Sequence, residues 1–292
     1  MAFHFQQSFK TALRSSWVIL KLIVPIYILA DVLFYYNILS QITFIFKPLA
    51  AFLQLPQEAA LSIVSGLFLN LYAAIAFAAP LGLSAKSWTI LAVFLGIAHA
   101  LFVETVIMKR LGISSRYSII LRLSAGLGVG FIVSLLPETW FQSTQTSLSL
   151  PSAATTHESI ISLLLDSLYQ ALALSVKIIA LVSCLIFFLD YVKSREWIQQ
   201  HAQSVNSGFS IVVGVILGIT YGAGILISEY EKGILQQKEV LFIGTYLMIC
   251  HAIIEDTLLF ALFGANVWLI VSLRLIFATL ISYTMVRYWK KV

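Results

Sequence analysis

Eight apolar runs, at about 17–39, 59–80, 88–108, 117–136, 161–192, 209–228, 238–262 and 266–288, come close to the roughly 20 residues that an α-helix needs to cross a bilayer. Only 11% of the residues are charged, against roughly 25% in ordinary globular domains. These features define an all-α polytopic membrane protein. The formal net charge of +5 is spread over the segments that flank the runs, so it carries topology information and implies no nucleic-acid partner.

Two runs carry the same heptapeptide, His99-Ala-Leu-Phe-Val-Glu-Thr105 and His251-Ala-Ile-Ile-Glu-Asp-Thr257. Ionisable groups are costly inside a bilayer, so these residues are the first place to look for function. The duplication extends further. Ser62-Ile-Val-Ser-Gly66 returns as Ser210-Ile-Val-Val-Gly214 at an offset of 148, and Arg122-Leu123 returns as Arg274-Leu275 at 152, the offset that also relates the histidines. Lys21 and Lys177 correspond at 156. One unit of about half the chain has been duplicated, giving repeats at 1–137 and 161–292 joined by an external linker at 138–160, whose Ser- and Thr-rich centre is 142–158.

Charge distribution sets the expected topology. If all eight runs cross, the flanking Lys and Arg divide almost evenly, 8 against 6, and give no orientation. If 59–80 and 209–228 re-enter instead, only Lys47 and Lys86 fall on the external side, while Lys10, Arg14, Lys109, Arg110, Arg116, Lys193, Arg195 and the remaining flanking cations fall on the other. Gly66 and Asn70, and Gly214, Gly218, Gly222 and Gly224, supply the chain breaks that such hairpins need. The expectation is two inverted repeats, each with about three spanning helices, one re-entrant hairpin and an interfacial helix (40–56 and 194–208). Both termini are then cytoplasmic, and Met1 to Ser16 does not read as a removable signal peptide.

The run Ser65-Gly66-Leu-Phe-Leu-Asn70-Leu-Tyr-Ala73-Ala74-Ile75, its Gly-rich partner and the following helix with its His and acid resemble the gate, or nucleoside-recognition, family of membrane domains. That family includes the gate units of ferrous-iron transporter B, a region of the concentrative nucleoside transporters and the spore-maturation membrane proteins. The resemblance implies passage of a small solute through a two-gate pore in a bacterial inner membrane. No Gly-x-x-x-x-Gly-Lys-[Ser/Thr] phosphate loop is present, so nucleotide hydrolysis is not expected to drive it.

Helix arithmetic at 1.5 Å per residue places His99 and His251 at the middle of a ~30 Å core. They are the expected centre of a substrate site, together with Glu255, Ser65, Gly66, Asn70, Gly214, Gly218, Thr105 and Thr257. In a continuous helix, five residues turn the chain so that His99 and Glu104 face different flanks, and only Glu255 shares a face with its histidine. Glu104 with Arg122, and Asp256 with Arg274, lie at matching depths and are expected to pair. Asp31 lacks an evident partner and is a candidate for proton coupling. Cys184 and Cys250 lack metal or disulfide spacing and are expected to be buried, inert thiols.

The expected function is transport or facilitation of a small polar solute, nucleoside-like or a divalent cation. Transport of a phosphorylated or carboxylated anion on the two arginines is one alternative. A non-transporting subunit that docks a partner through Ser194–Ser207 is another. No zinc-protease or serine-hydrolase spacing is present, so no enzyme activity and no cofactor are expected. The bilayer is the expected partner, and a homodimer or a second membrane protein fits the same reading.

Overall fold

The computed structural model describes residues 4–36, 38, 44, 46–141, 159–195, 207–218, 226–227, 230 and 235–288. The first repeat contributes α1 (Phe5–Tyr35), α2 (Lys47–Phe52), α3 (Ala59–Phe68), α4 (Leu71–Ala78), α5 (Ala85–Ala98), α6 (Leu101–Arg110) and α7 (Ser115–Ser134). The second contributes α8 (Ile160–Ser194), α9 (Ser207–Leu217), α10 (Gln237–Ile249), α11 (Ile253–Ala261) and α12 (Val267–Arg287). Their boundaries follow from local chemistry: Asn70, Ser84, Ser114, Ser159 and Asn266 each accept a backbone N–H in the first turn of the helix that follows.

Among the described residues six segments are long and apolar enough to cross a membrane: α1, α5 with α6, α7, α8, α10 with α11, and α12. The run at 59–80 is not a single helix. It breaks at Leu69–Asn70 into α3 and α4, which fold back on each other, with the Ser62 hydroxyl donating to the Ala74 carbonyl at 2.8 Å. In the second repeat α9 ends at Gly218, where φ is +88°; the remainder of the run at 209–228 lies largely outside the described residues. So do the linker core at 142–158 and residues 196–206 of the 194–208 segment. Residues 138–141, counted in the linker by sequence, instead belong to the body. Glu138 meets Lys86 at 3.4 Å, Asn266 donates to the Trp140 carbonyl, and Phe141 is buried.

The outer helices α1 and α8 pack along one another. Ser8 donates to Asp190 at 2.8 Å near one end, and Ser167 donates to Asp31 at 2.6 Å near the other. Each bond joins the start of one helix to the end of the other, so α1 and α8 run antiparallel. The two serine–aspartate pairs are related by an offset of 159, three residues more than the lysine correspondence. Buried contacts fix the register, whereas the Lys21 head lies exposed over the Trp17 ring. Asp31 therefore has a partner that its own helix does not reveal. Away from this seam both helices expose large apolar side chains, among them Leu13, Trp17, Leu165 and Tyr169, the surface expected against lipid. Cys184 also lies on an exposed face, contrary to its sequence reading, while Cys250 is buried.

The inner helices form the core. In both repeats the broken segment packs on the last helix: α5 and α6 on α7, α10 and α11 on α12. The repeats also interlock, through Trp88 stacked on Phe263 and Tyr117 bonded to Thr245.

Candidate functional site

Both heptapeptides break their helices. At His99 the chain becomes extended, Ala100 takes a left-handed φ of +45°, and α6 starts at Leu101; in the second copy the helix already ends at Ile249, with Cys250 as its cap, and Ala252 takes the same left-handed φ of +45° ahead of α11. Neither break contains Gly or Pro. It is held by partners distant in sequence: the Ala100 N–H donates to the Gly66 carbonyl at 2.9 Å, and the Ala252 N–H to the Gly214 carbonyl at 3.4 Å.

A break in a helix frees carbonyls at the C-terminal end of its first half. Arg122 donates to the carbonyls of Ile97 (2.8 Å) and His99 (2.6 Å), and Arg274 donates to those of Ile249 (3.1 Å) and His251 (2.7 Å). A cation at a helix C-terminus also complements its dipole, and Glu104 and Asp256 in the first turns of α6 and α11 complement the opposite ends. The expected pairs form, Arg122 with Glu104 at 2.9 Å and Arg274 with Asp256 at 3.1 Å. Each arginine is thus a plug for a broken helix as well as an ion-pair partner.

The break also corrects the expectation that His99 and Glu104 face apart. With the helix interrupted between them, His99 Nε2 lies 3.2 Å from Glu104 Oε1, and His251 Nε2 lies 3.2 Å from the same oxygen. The two imidazoles are 5.3 Å apart between centroids. Glu255, expected to share a face with His251, accepts a hydrogen bond from the Tyr72 hydroxyl at 3.0 Å.

A cavity of about 210 Å³ lies over this cluster, lined by Asn70, Tyr72, His99, Glu104, His251 and Glu255, with Gly218, Asp256 and three apolar neighbours completing it. Of the sequence candidates, Asn70, His99, Gly218, His251 and Glu255 reach it, joined by the ion-pair members Glu104 and Asp256. The others do not. Ser65 donates to the Ser62 carbonyl within α3, and Gly66 and Gly214 serve the breaks through their carbonyls. Thr105, one residue beyond Glu104, is turned about 100° away and meets Ser118 at 3.2 Å. At the matching Thr257 the hydroxyl has no partner among the described residues, and Ile270 occupies the sequence position that corresponds to Ser118. Tyr72 went unassigned from sequence, although a hydroxyl placed two residues past a capping asparagine in an apolar run was a signal.

Six apolar segments of spanning length and a charged cavity at the junction of broken helices define a helical integral membrane protein. The uncharacterized membrane protein YvoD of Bacillus subtilis (strain 168) is similar to this chain, at 28% identity over 295 residues that cover 95% of the chain and 92% of the relative. No protein-family model matches the chain. No solved structure matches it.

Proposed function

We propose that this protein is a transporter or facilitator of a small polar solute, built as two inverted gate-like repeats around the central cavity. The observation that carries the reading is the convergence of four chain breaks, at Asn70, His99–Ala100, Gly218 and His251–Ala252, on one charged cavity. Membrane proteins tolerate non-helical backbone at depth where it lines such a space, and broken helices at a repeat interface are a common way to bind a transported solute. The antiparallel run of the equivalent helices α1 and α8 supports inversion of the repeats. The lengths of α3 and α4 support re-entry, since ten residues or fewer of helix rise about 15 Å, half of a ~30 Å core. With the positive-inside distribution, both termini face the cytoplasm of a bacterial inner membrane.

The anion alternative is weakened, because both guanidiniums are engaged by carboxylates and backbone carbonyls. The partner-docking alternative rests on 194–207, of which residues 196–206 lie outside the described residues.

Two measurements test the proposal. Single cysteines at Pro56 and Leu83, flanking α3 and α4, should be labelled from the same side of the membrane; labelling from opposite sides would overturn the hairpin. Purified protein in liposomes should move at least one of a panel of divalent metals and nucleosides, and Tyr72→Phe with Glu255→Gln should change that flux. A panel that yields no flux in sealed, oriented liposomes would sink the transport reading.

A further inference from the structure

The histidine tautomers are fixed by their backbone partners. His99 Nδ1 lies 2.8 Å from the Leu95 carbonyl and His251 Nδ1 lies 2.7 Å from the Leu247 carbonyl, each four residues back. A carbonyl only accepts, so each Nδ1 carries the proton and donates it. In a neutral imidazole, Nε2 then presents a lone pair. Both lone pairs point towards Glu104 Oε1, itself an acceptor, at 3.2 Å. With both imidazoles neutral, three acceptors thus converge with nothing between them to donate. His251 is 2% exposed, and its Nε2 has no hydrogen-bond partner among the described residues.

We infer that His99 Nε2, His251 Nε2 and Glu104 Oε1 form the binding site of one divalent transition-metal ion, with a further coordination position open to the cavity. The three ligand atoms lie within 4.8 Å of one another. The separation of 3.2 Å between each nitrogen and the carboxylate oxygen matches the edge of a tetrahedron, about 3.3 Å for bonds of ~2.0–2.1 Å. The surroundings are those of a metal site: each ligating histidine donates its other ring N–H to a carbonyl, and Arg122 holds the second oxygen of the ligating carboxylate at 2.9 Å. Two imidazoles and one carboxylate suit zinc, iron(II), cobalt(II) or manganese(II) better than the all-oxygen preferences of magnesium or calcium. Charge agrees, since the carboxylates of Glu104, Glu255 and Asp256 around the cavity outnumber the guanidiniums of Arg122 and Arg274. As cargo, the ion names the substrate class of the proposed transporter and rests on that reading; as a bound ligand it stands on the geometry alone.

The test uses full-length protein in detergent, freed of metal by chelator dialysis, with Zn²⁺ or Co²⁺ alone as the probe. Equilibrium dialysis should give one ion per chain, binding should raise the melting temperature, and Co²⁺ should develop the visible absorption of a low-coordinate nitrogen–oxygen site. His99→Asn and His251→Asn keep an N–H near the position of Nδ1 and remove Nε2. Each should fold as the wild type and weaken binding on the order of 100-fold or more, as expected for loss of a ligand when second-shell losses alone reach 10–100-fold. Binding far below one ion per chain, or equal binding by the double His variant, would overturn the inference. Stoichiometric metal binding without flux of any solute would uphold the site and remove the transporter. Flux of a neutral solute by protein that binds no metal would do the reverse.

Discussion

Arg274 donates from Nη2 to the backbone carbonyl of Gly96 at 2.6 Å, a bond that ties the last helix of the second repeat to the first. The repeat does not return it: Met248 stands at the position that corresponds to Gly96, and Arg122 Nη1 has no partner among the described residues. A Cβ at position 96 would lie 3.0 Å from Arg274 Nη1. Gly96→Ala is expected to displace the guanidinium from bonds it makes in a buried site, at roughly 1–3 kcal/mol, and to lower the melting temperature. Gly128→Ala is the control: no atom lies within 4 Å of its added Cβ, and alanine is the better helix former by about 1 kcal/mol.

Asp256→Asn leaves the Arg274 charge without its carboxylate in a fully buried position, and loss of one member of a buried pair costs about 3–5 kcal/mol. Exchanging the two, Asp256→Arg with Arg274→Asp, should not restore stability. A carboxylate at 274 would face the carbonyls of Ile249, His251 and Gly96, all of them acceptors. Thermal melts of the single and exchanged variants decide between a simple ion pair, which the exchange would rescue, and the helix plug described above.

The seam between α1 and α8 should respond unequally to its two serines. Ser167 is fully buried against a buried Asp31, so Ser167→Ala is expected to cost about 1–3 kcal/mol. Ser8→Ala should cost less, because Asp190 is more exposed and keeps Lys193 at 3.2 Å. Equal losses would argue against the difference in burial as the cause.

Backbone strain at the breaks gives a further expectation. Ala100 and Ala252 both hold φ at +45°, where a β-branched side chain is strongly disfavoured. Ala100→Gly and Ala252→Gly should be tolerated, whereas Ala100→Val and Ala252→Val should lose stability and, in liposomes, flux. If valine at either position melts as the wild type, the left-handed turn is not required.

The periodic and compositional content of the chain was legible without coordinates. Apolar run length marked eight candidates and the Lys and Arg distribution reduced them to six, whose ends lie within a few residues of the observed spanning segments in most cases, because lipid leaves the backbone no alternative to pairing within its own helix. Offset arithmetic pointed to the duplication, and depth along the helices pointed to both arginine–carboxylate pairs, since a charge in an apolar run has few places to go. The central His–Glu–His cluster was named only in part. Its histidines were identified, but Glu104 was turned away from them by the assumption of a continuous helix.

That assumption failed for a physical reason. His99-Ala100 and His251-Ala252 carry no local breaker, and the helix stops there because Gly66 and Gly214 take the next N–H while Arg122 and Arg274 take the freed carbonyls. These partners are 23 or more residues away, so no short window of sequence contains the competition. The partners of Asp31 and Glu255, Ser167 and Tyr72, lie in the opposite repeat. Sequence by itself determined a duplicated helical membrane protein with charges at defined positions in it. Which of those charges meet in one cavity was decided only by tertiary packing, because contacts between repeats depend on the register of helices against each other, and that register is set by buried bonds such as Ser8 to Asp190.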